Sequence, residues 1–498
     1  MSIKKLAGQT VWYGASSIAA RFINYLLTPY LTGVLAVSGY GEMSLVYAAI
    51  PFLNIIFTYG IETAYFRFSN KEDFKKDIYS TSSISIFIST ILLSALLLLF
   101  NDTVAHWLRL DNNPEFITYS ALIIAFDTLS ALPFARLRQE GRPKKFALIR
   151  ITSILVTVGL TYFLISVCPQ LVADDPSGWL AKYYVKDYGV GYVIFANLVG
   201  SFITLLLLSK ELFGFKWRFS TTVWKQVMVY SLPLIIAGFG GMINETFDRI
   251  MLGWWAPVGN AEAAKQEVAI YSGCYKLAIL ISLFIQAFRM GAEPFFFKQS
   301  EGQNPQRTYA RVMKFFVITV TVMFLVVALY LDIWKYFLSK EIYWTGLKVV
   351  PILLLANIFL GIYYNLSIWY KLTHKTIAGA YITLIGAAIT LGINYFFIPH
   401  FGYMACAWAT FFCYGTMMVI SYNWGQKEYH IPYAWKKLTA YVIIVVLLFA
   451  LHRTVIHFFT ESWINFTAAT ILLLIYLWFL KNVESKELQK LPVVGKWF

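Results

Sequence analysis

The sequence is short of charge. Only 13% of its 498 residues are Asp, Glu, Lys or Arg, while 59% are hydrophobic. A water-soluble domain needs a larger charged fraction to cover its surface, so that class is excluded. Cysteine is equally scarce. Cys168, Cys274, Cys406 and Cys413 form no CxxC pair and no Cys/His cluster, which argues against a disulfide framework and against a metal site. No GxxxxGK[ST] phosphate loop occurs, so no built-in nucleotide-hydrolysing module is expected. The GFGG at 238–241 follows Pro233 inside an apolar run. It reads as a place of close helix packing or a bend.

What is present is apolar sequence in runs of about 20 residues, the length that crosses a hydrocarbon core of about 30 Å. Mean hydropathy is +0.62. The runs are continuous rather than alternating, which selects helices over a barrel. An all-α polytopic membrane protein of about 14 transmembrane helices is expected. The spans fall near 9–35, 42–66, 78–100, 116–135, 147–167, 189–209, 226–254, 267–290, 312–331, 346–370, 377–397, 403–423, 438–457 and 462–480. The first run follows Lys4 and Lys5 but is too long for a signal peptide and carries Arg21, so it reads as a retained helix.

Net charge is +15. In this setting it points to loops that fix topology and meet anionic lipid, not to nucleic acid. With a cytoplasmic N-terminus the loops alternate, and about 28 of the Lys and Arg fall inside, about 7 outside and about 6 within spans. The inside loops include RFSNKEDFKK, ARLRQEGRPKK, KELFGFKWR and KQSEGQNPQRTYARVMK. Both termini are therefore expected in the cytoplasm. The longest outside loop, 168–189, contains WLAKYYVKDYG and reads as a stretch lying on the outer membrane surface.

Two short segments repeat. GIETAYFR at 60–67 closes the second span, and GAEPFFFK at 291–298 closes the eighth. Six spans separate them, which predicts two parallel six-span halves plus two further spans. The expected division is 1–222, 223–430 and 431–498. Glu62 with Arg67, and Glu293 with Arg289 and Lys298, would lie at the cytoplasmic mouth as a gate. Each glutamate could pair with its neighbouring Arg67 or Lys298, or with arginines of the facing half. Simple interfacial capping is the competing role.

Ionisable residues at membrane depth are costly and usually face a polar interior or each other. Arg21 sits in the middle of the first span, with Ser17 and Asn24 on the same face at helical spacing. Lys276 sits in the eighth span and Arg150 opens the fifth. Asp127 lies in the fourth. The seventh carries Asn244, Glu245, Asp248 and Arg249. Arg249 is placed four residues after Glu245, where an internal ion pair is one reading. Arg21 and Lys276, with Arg249 and Arg150, suggest a cationic cavity that selects an anionic ligand, phosphate above all. The competing reading has these cations neutralise buried Asp127, Glu245 or Asp248. The same three acids are candidate ion-coupling residues.

Taken together, the fourteen-span layout, the paired halves and three segments resemble the polysaccharide-transport branch of the MATE-like, or MOP, superfamily. The segments are FARLRQEGRPKKFALIR, SLPLIIAGFGGMINETFDRIMLGW and FRMGAEPFFFK. The chain is similar to Wzx-type flippases along nearly its whole length. That resemblance implies two lobes in a V shape in the bacterial cytoplasmic membrane, without a cofactor or enzymatic activity. The implied substrate is an undecaprenyl-pyrophosphate-linked oligosaccharide, moved to the outer leaflet with its pyrophosphate held by cavity cations. The implied partners are the bilayer, a coupling proton or sodium ion, and polysaccharide assembly proteins. Arg21 stands at a first-helix position where related flippases carry a basic residue, and Arg249 lies in a segment that lines the cavity. Multidrug members usually carry an acid in the first helix, which is absent here. Peptidoglycan-precursor flippases share the cationic pattern and remain an alternative, as does a multidrug antiporter.

Overall fold

The computed structural model describes residues 3–69, 71–300, 302–459 and 461–488. The segment from 489 onward, part of the C-terminal tail, lies outside them. Every regular element among the described residues is helical, as backbone polar groups in lipid require. In chain order the long helices are α1 (Ile3–Val34), α2 (Val37–Thr58), the short α3 (Ile61–Phe68), α4 (Ile78–Leu99), α5 (Glu115–Gln139), α6 (Pro143–Asp174) and α7 (Gly189–Leu207). They continue with α8 (Thr221–Glu245), α9 (Phe247–Trp255), α10 (Ala261–Gln299), α11 (Pro305–Ala328) and α12 (Glu341–Leu372). The last four are α13 (Ile377–Phe401), α14 (Tyr403–Glu428), α15 (Trp435–Phe458) and α16 (Ser462–Leu488).

Thirteen of the described helices are long and apolar enough to cross a membrane. They coincide with the second to fourteenth expected spans. Helix α1 stands where the first was expected, and its Arg21, Asn24, Thr28 and Thr32 make it the more polar segment.

Three expected spans are not single helices, and the tenth breaks at Ser367. The second breaks at Tyr59 and Gly60, whose φ values of 34° and 71° are left-handed. Glycine suits this point for a second reason. A Cβ on Gly60 would lie 3.2 Å from Leu234 and 3.3 Å from the Ser231 carbonyl. The seventh span breaks at Thr246, between α8 and α9, where the threonine hydroxyl donates to the Ala48 carbonyl at 3.3 Å. The second repeat segment behaves differently, because Gly291 lies inside an unbroken α10.

Packing divides the chain into two units. The first comprises Met1–Gly273 with Thr383–Thr410, and the second Cys274–Ile382 with Phe411–Phe498. In the first unit α5 packs on α2, α4 and α7, and α6 packs on α1 and α7. Its core joins Tyr65, Phe68 and Ile78 to Val223 and Val227 of α8. Gly238 of the GFGG segment lets α8 approach α2, since its Cβ would stand 3.3 Å from Ile55. In the second unit α11 packs on α12, α15 and α16. Glu484 of α16 holds that group together. It is 3% exposed and accepts from Lys314 at 3.0 Å, Lys437 at 2.6 Å and the Tyr441 hydroxyl at 2.5 Å.

Candidate functional site

The first unit gathers polar groups from six helices. Helix α1 presents Arg21 and Asn24, both exposed, with Ser17 half-buried. Helix α5 presents Asp127, whose carboxylate reaches the Ser201 hydroxyl of α7 and stays accessible although deep in the unit. Helix α6 presents Arg150. Its guanidinium lies over the Phe134 ring at 4.4 Å and the Phe146 ring at 5.8 Å, so two aromatic faces orient it. Arg150 stands within electrostatic reach of Asp127, Arg138, Glu62 and Arg21. Nearby, the Asn197 amide donates to the Tyr47 hydroxyl at 3.1 Å. The array holds Arg21, Arg138 and Arg150 against Asp127 and Glu62, so formal positive charge is in excess. Low-dielectric walls strengthen its attraction for an anion.

The span that carries NETFDR supplies a second polar group in the same unit. Asp248 is 3% exposed. It accepts from the Tyr271 hydroxyl at 2.6 Å, from the Arg249 backbone N–H at 2.8 Å and from the Arg249 guanidinium at 3.1 Å. The same guanidinium donates to the Glu245 carbonyl at 2.7 Å. The Arg249 ion pair is thus with Asp248, one residue away, and not with the Glu245 carboxylate, which is exposed. The helix break at Thr246 turns the i, i+4 geometry away from the expected pairing. Asn244 is buried, donates to the Thr383 carbonyl at 3.1 Å and accepts from Thr390 at 3.3 Å. One turn beyond Thr390, the buried Asn394 amide has no hydrogen-bond partner.

Lys276 is half-buried on α10, in the second unit, while Arg21 is in the first. Near the end of α10, Glu293 binds Lys371 of α12 at 2.6 Å and lies 3.5 Å from Arg289. Arg289 stacks over the Tyr364 ring at 3.9 Å. Glu62 makes the corresponding pair in the first unit, with Arg138 at the end of α5. Each glutamate of the repeated segment therefore meets a base on the helix two spans further along its own unit, 76 residues away in one case and 78 in the other. These partners replace the expected Arg67 and Lys298. Arg67 instead lies over the Tyr230 ring at 4.2 Å, and Lys298 is exposed.

Three charge clusters escaped the sequence. Glu42 at the start of α2 and Lys265 at the start of α10 form a buried pair at 2.6 Å, with Asn113 donating to Glu42 at 3.2 Å. A Cβ on neighbouring Gly41 would strike the Lys265 backbone. Glu211 is buried beyond α7, held by Lys145 at 2.7 Å and Arg142 at 2.8 Å. Glu484 is the third. None stood out in the sequence, because all lie at or beyond span ends. Partners more than 40 residues apart leave no signal in local spacing.

Residues 6–300 match the family described as polysaccharide biosynthesis protein. Among curated proteins, the "Lsg locus putative protein 1" of Haemophilus influenzae is 21% identical over 302 residues. The match covers 59% of this chain and 66% of that one, just under two thirds of its length. Among solved structures, the lipid II flippase MurJ in an inward closed conformation superposes with a TM-score of 0.71 at 14% identity. That match covers 95% of this chain and 99% of the other. An inward-facing multidrug resistance MATE family transporter of the MOP superfamily gives 0.63 at 14% identity, over 85% and 95%. These likenesses establish the fold. The match over more than half of the sequence establishes the family, and the chain is a multi-pass membrane protein belonging to the polysaccharide biosynthesis protein family, with the fold of MOP-superfamily transporters.

Proposed function

We propose that this protein is a flippase, not an enzyme, that carries an undecaprenyl-pyrophosphate-linked oligosaccharide from the inner to the outer leaflet of the bacterial cytoplasmic membrane. The observation that carries this reading is the cationic excess of Arg21 within the first span, Arg150 at the start of the fifth and Arg138 at the end of α5, in a chain of the polysaccharide biosynthesis family. Arginine binds phosphate through paired N–H donors, so these residues suit a diphosphate headgroup. Lys276 and Arg249 extend the cationic lining, with Ser17, Asn24 and Asn244 as its polar members.

In this reading the six-span halves, 1–222 and 223–430, rock about the site and open it to each side in turn. Segment 431–498 is appended to them, and both termini are cytoplasmic. Glu62 and Glu293, with Arg67, Arg289 and Lys298, act at the cytoplasmic mouth, where their ion pairs change as it opens. A proton or sodium gradient drives the cycle. Asp127, Glu245 and Asp248 are the coupling acids. Polysaccharide assembly proteins supply and receive the substrate.

Charge reversal tests the site. Arg21→Glu and Lys276→Glu should each abolish surface glycan display in a strain that depends on this protein, with membrane levels of the protein unchanged. Full display in both variants would refute the cationic site. The fold shared with the lipid II flippase favours a second reading, transport of a peptidoglycan precursor. Rescue of cells depleted of their own lipid II flippase would establish that reading in place of the first.

A further inference from the structure

At the end of α10 in the second unit there is a pocket open to the outside. Arg289, Glu293, Tyr364, Asn365 and Lys371 line it. Two cations and one carboxylate leave a formal positive charge. Glu293 bridges both cations, at 2.6 Å from Lys371 and 3.5 Å from Arg289. Arg289 is fixed over the Tyr364 ring, so its donors are held in place. Asn365 adds an unmet demand. It is 5% exposed, and its amide donates to the Gly361 carbonyl at 3.0 Å, which fixes the orientation of the group. Its side-chain oxygen is left buried without a donor. A buried acceptor left unsatisfied is costly, and an O–H or N–H of a ligand would satisfy it.

We propose that this pocket is a binding subsite for a glycosyl phosphate, with the phosphate on Arg289 and Lys371 and a sugar hydroxyl or acetamido N–H on the Asn365 oxygen. Glu293 occupies the cationic pair when the ligand is absent. An arriving phosphate displaces that carboxylate, because both compete for the same N–H donors. The inference rests on the flippase reading and refines it. In the proposed topology the pocket lies at the cytoplasmic end of α10, the side on which the substrate is loaded. The chemistry is shared by a lipid-linked headgroup and a free glycosyl phosphate.

Binding to the full-length protein in nanodiscs tests the subsite. The probes are N-acetylglucosamine 1-phosphate, N-acetylglucosamine, inorganic pyrophosphate, and undecaprenyl-pyrophosphoryl N-acetylglucosamine placed in the disc. Arg289→Gln and Lys371→Gln should weaken the glycosyl phosphate about tenfold or more, the scale of a lost charge-assisted hydrogen bond. Glu293→Gln should tighten it, since the internal competitor is gone. Asn365→Leu should erase the preference for the glycosyl phosphate over pyrophosphate, and Asn365→Ser serves if the leucine variant does not fold. Unchanged or weaker binding in Glu293→Gln, or wild-type binding in both cation variants, would overturn the proposal. Displacement of the soluble probe by the lipid-linked one identifies a lipid headgroup as the ligand, and a lack of displacement identifies a free glycosyl phosphate. A wild-type protein that flips a lipid-linked sugar but binds none of the glycosyl phosphate probes would sink the subsite alone. Intact binding in a chain that flips no lipid-linked sugar would sink the transport reading alone.

Discussion

Glu211 shows what a single side chain gains from its setting. Burial pushes its carboxyl pKa up, but hydrogen bonds and charge from Lys145, with a further bond from Arg142, outweigh burial and hold it below the usual carboxylate range. A carboxylate with a lowered pKa in the fold stabilises fully above its unfolded value and loses that contribution as pH falls through the folded one. The detergent-solubilised protein should therefore lose thermal stability as pH drops below about 4.3, the ordinary glutamate value. Glu211→Gln should be less stable at pH 7 and flatter across that window. A variant as pH-sensitive as the parent would show that other carboxylates govern the loss. The Glu42–Lys265 pair is a stricter case, being buried at both ends. Lys265→Met should cost about 3–5 kcal/mol, because it strands a buried carboxylate. The double variant with Glu42→Gln should recover much of that loss. Chemical unfolding of the four members of this cycle measures both effects.

Among the elements, the two repeat segments invite the most direct comparison. GIETAYFR and GAEPFFFK share a pattern and an ion-pair geometry, yet the chain breaks at Gly60 and runs straight through Gly291. The same substitution should therefore act in opposite directions. Gly60→Ala places a Cβ at φ +71° against Leu234 and should destabilise by about 1–2 kcal/mol. Gly291→Ala meets nothing within 4 Å inside a helix and should stabilise by about 0.5–1 kcal/mol. Thermal midpoints of the two variants, side by side, decide it. The pattern was legible in the sequence because it recurs at a fixed distance. The break was not, because it depends on how closely α8 approaches Gly60.

For the whole molecule, the alternation of basic loops makes a prediction about sidedness. Single cysteines in a cysteine-free background at Lys144 and Arg307 should be shielded from a membrane-impermeant thiol reagent in intact spheroplasts. One at Asp175 should be labelled. Labelling at Lys144 would reverse the proposed orientation.

The sequence by itself determined that this is a helical membrane protein, where nearly every span lies, and that a GIETAYFR-like segment recurs. Those properties follow from the energy of placing each run of residues in hydrocarbon, which is local and additive along the chain. Charges within spans, such as Arg21, Asp127 and Arg150, were legible for the same reason, since each stands out against apolar neighbours. Only the tertiary structure decided which charges meet. Glu62 takes Arg138 in place of Arg67, Glu293 takes Lys371, and Arg249 takes Asp248 in place of Glu245. Glu42 and Lys265 are joined across 223 residues. Pairing depends on which helix faces pack together and on where a helix breaks, and no property of a single segment carries that information.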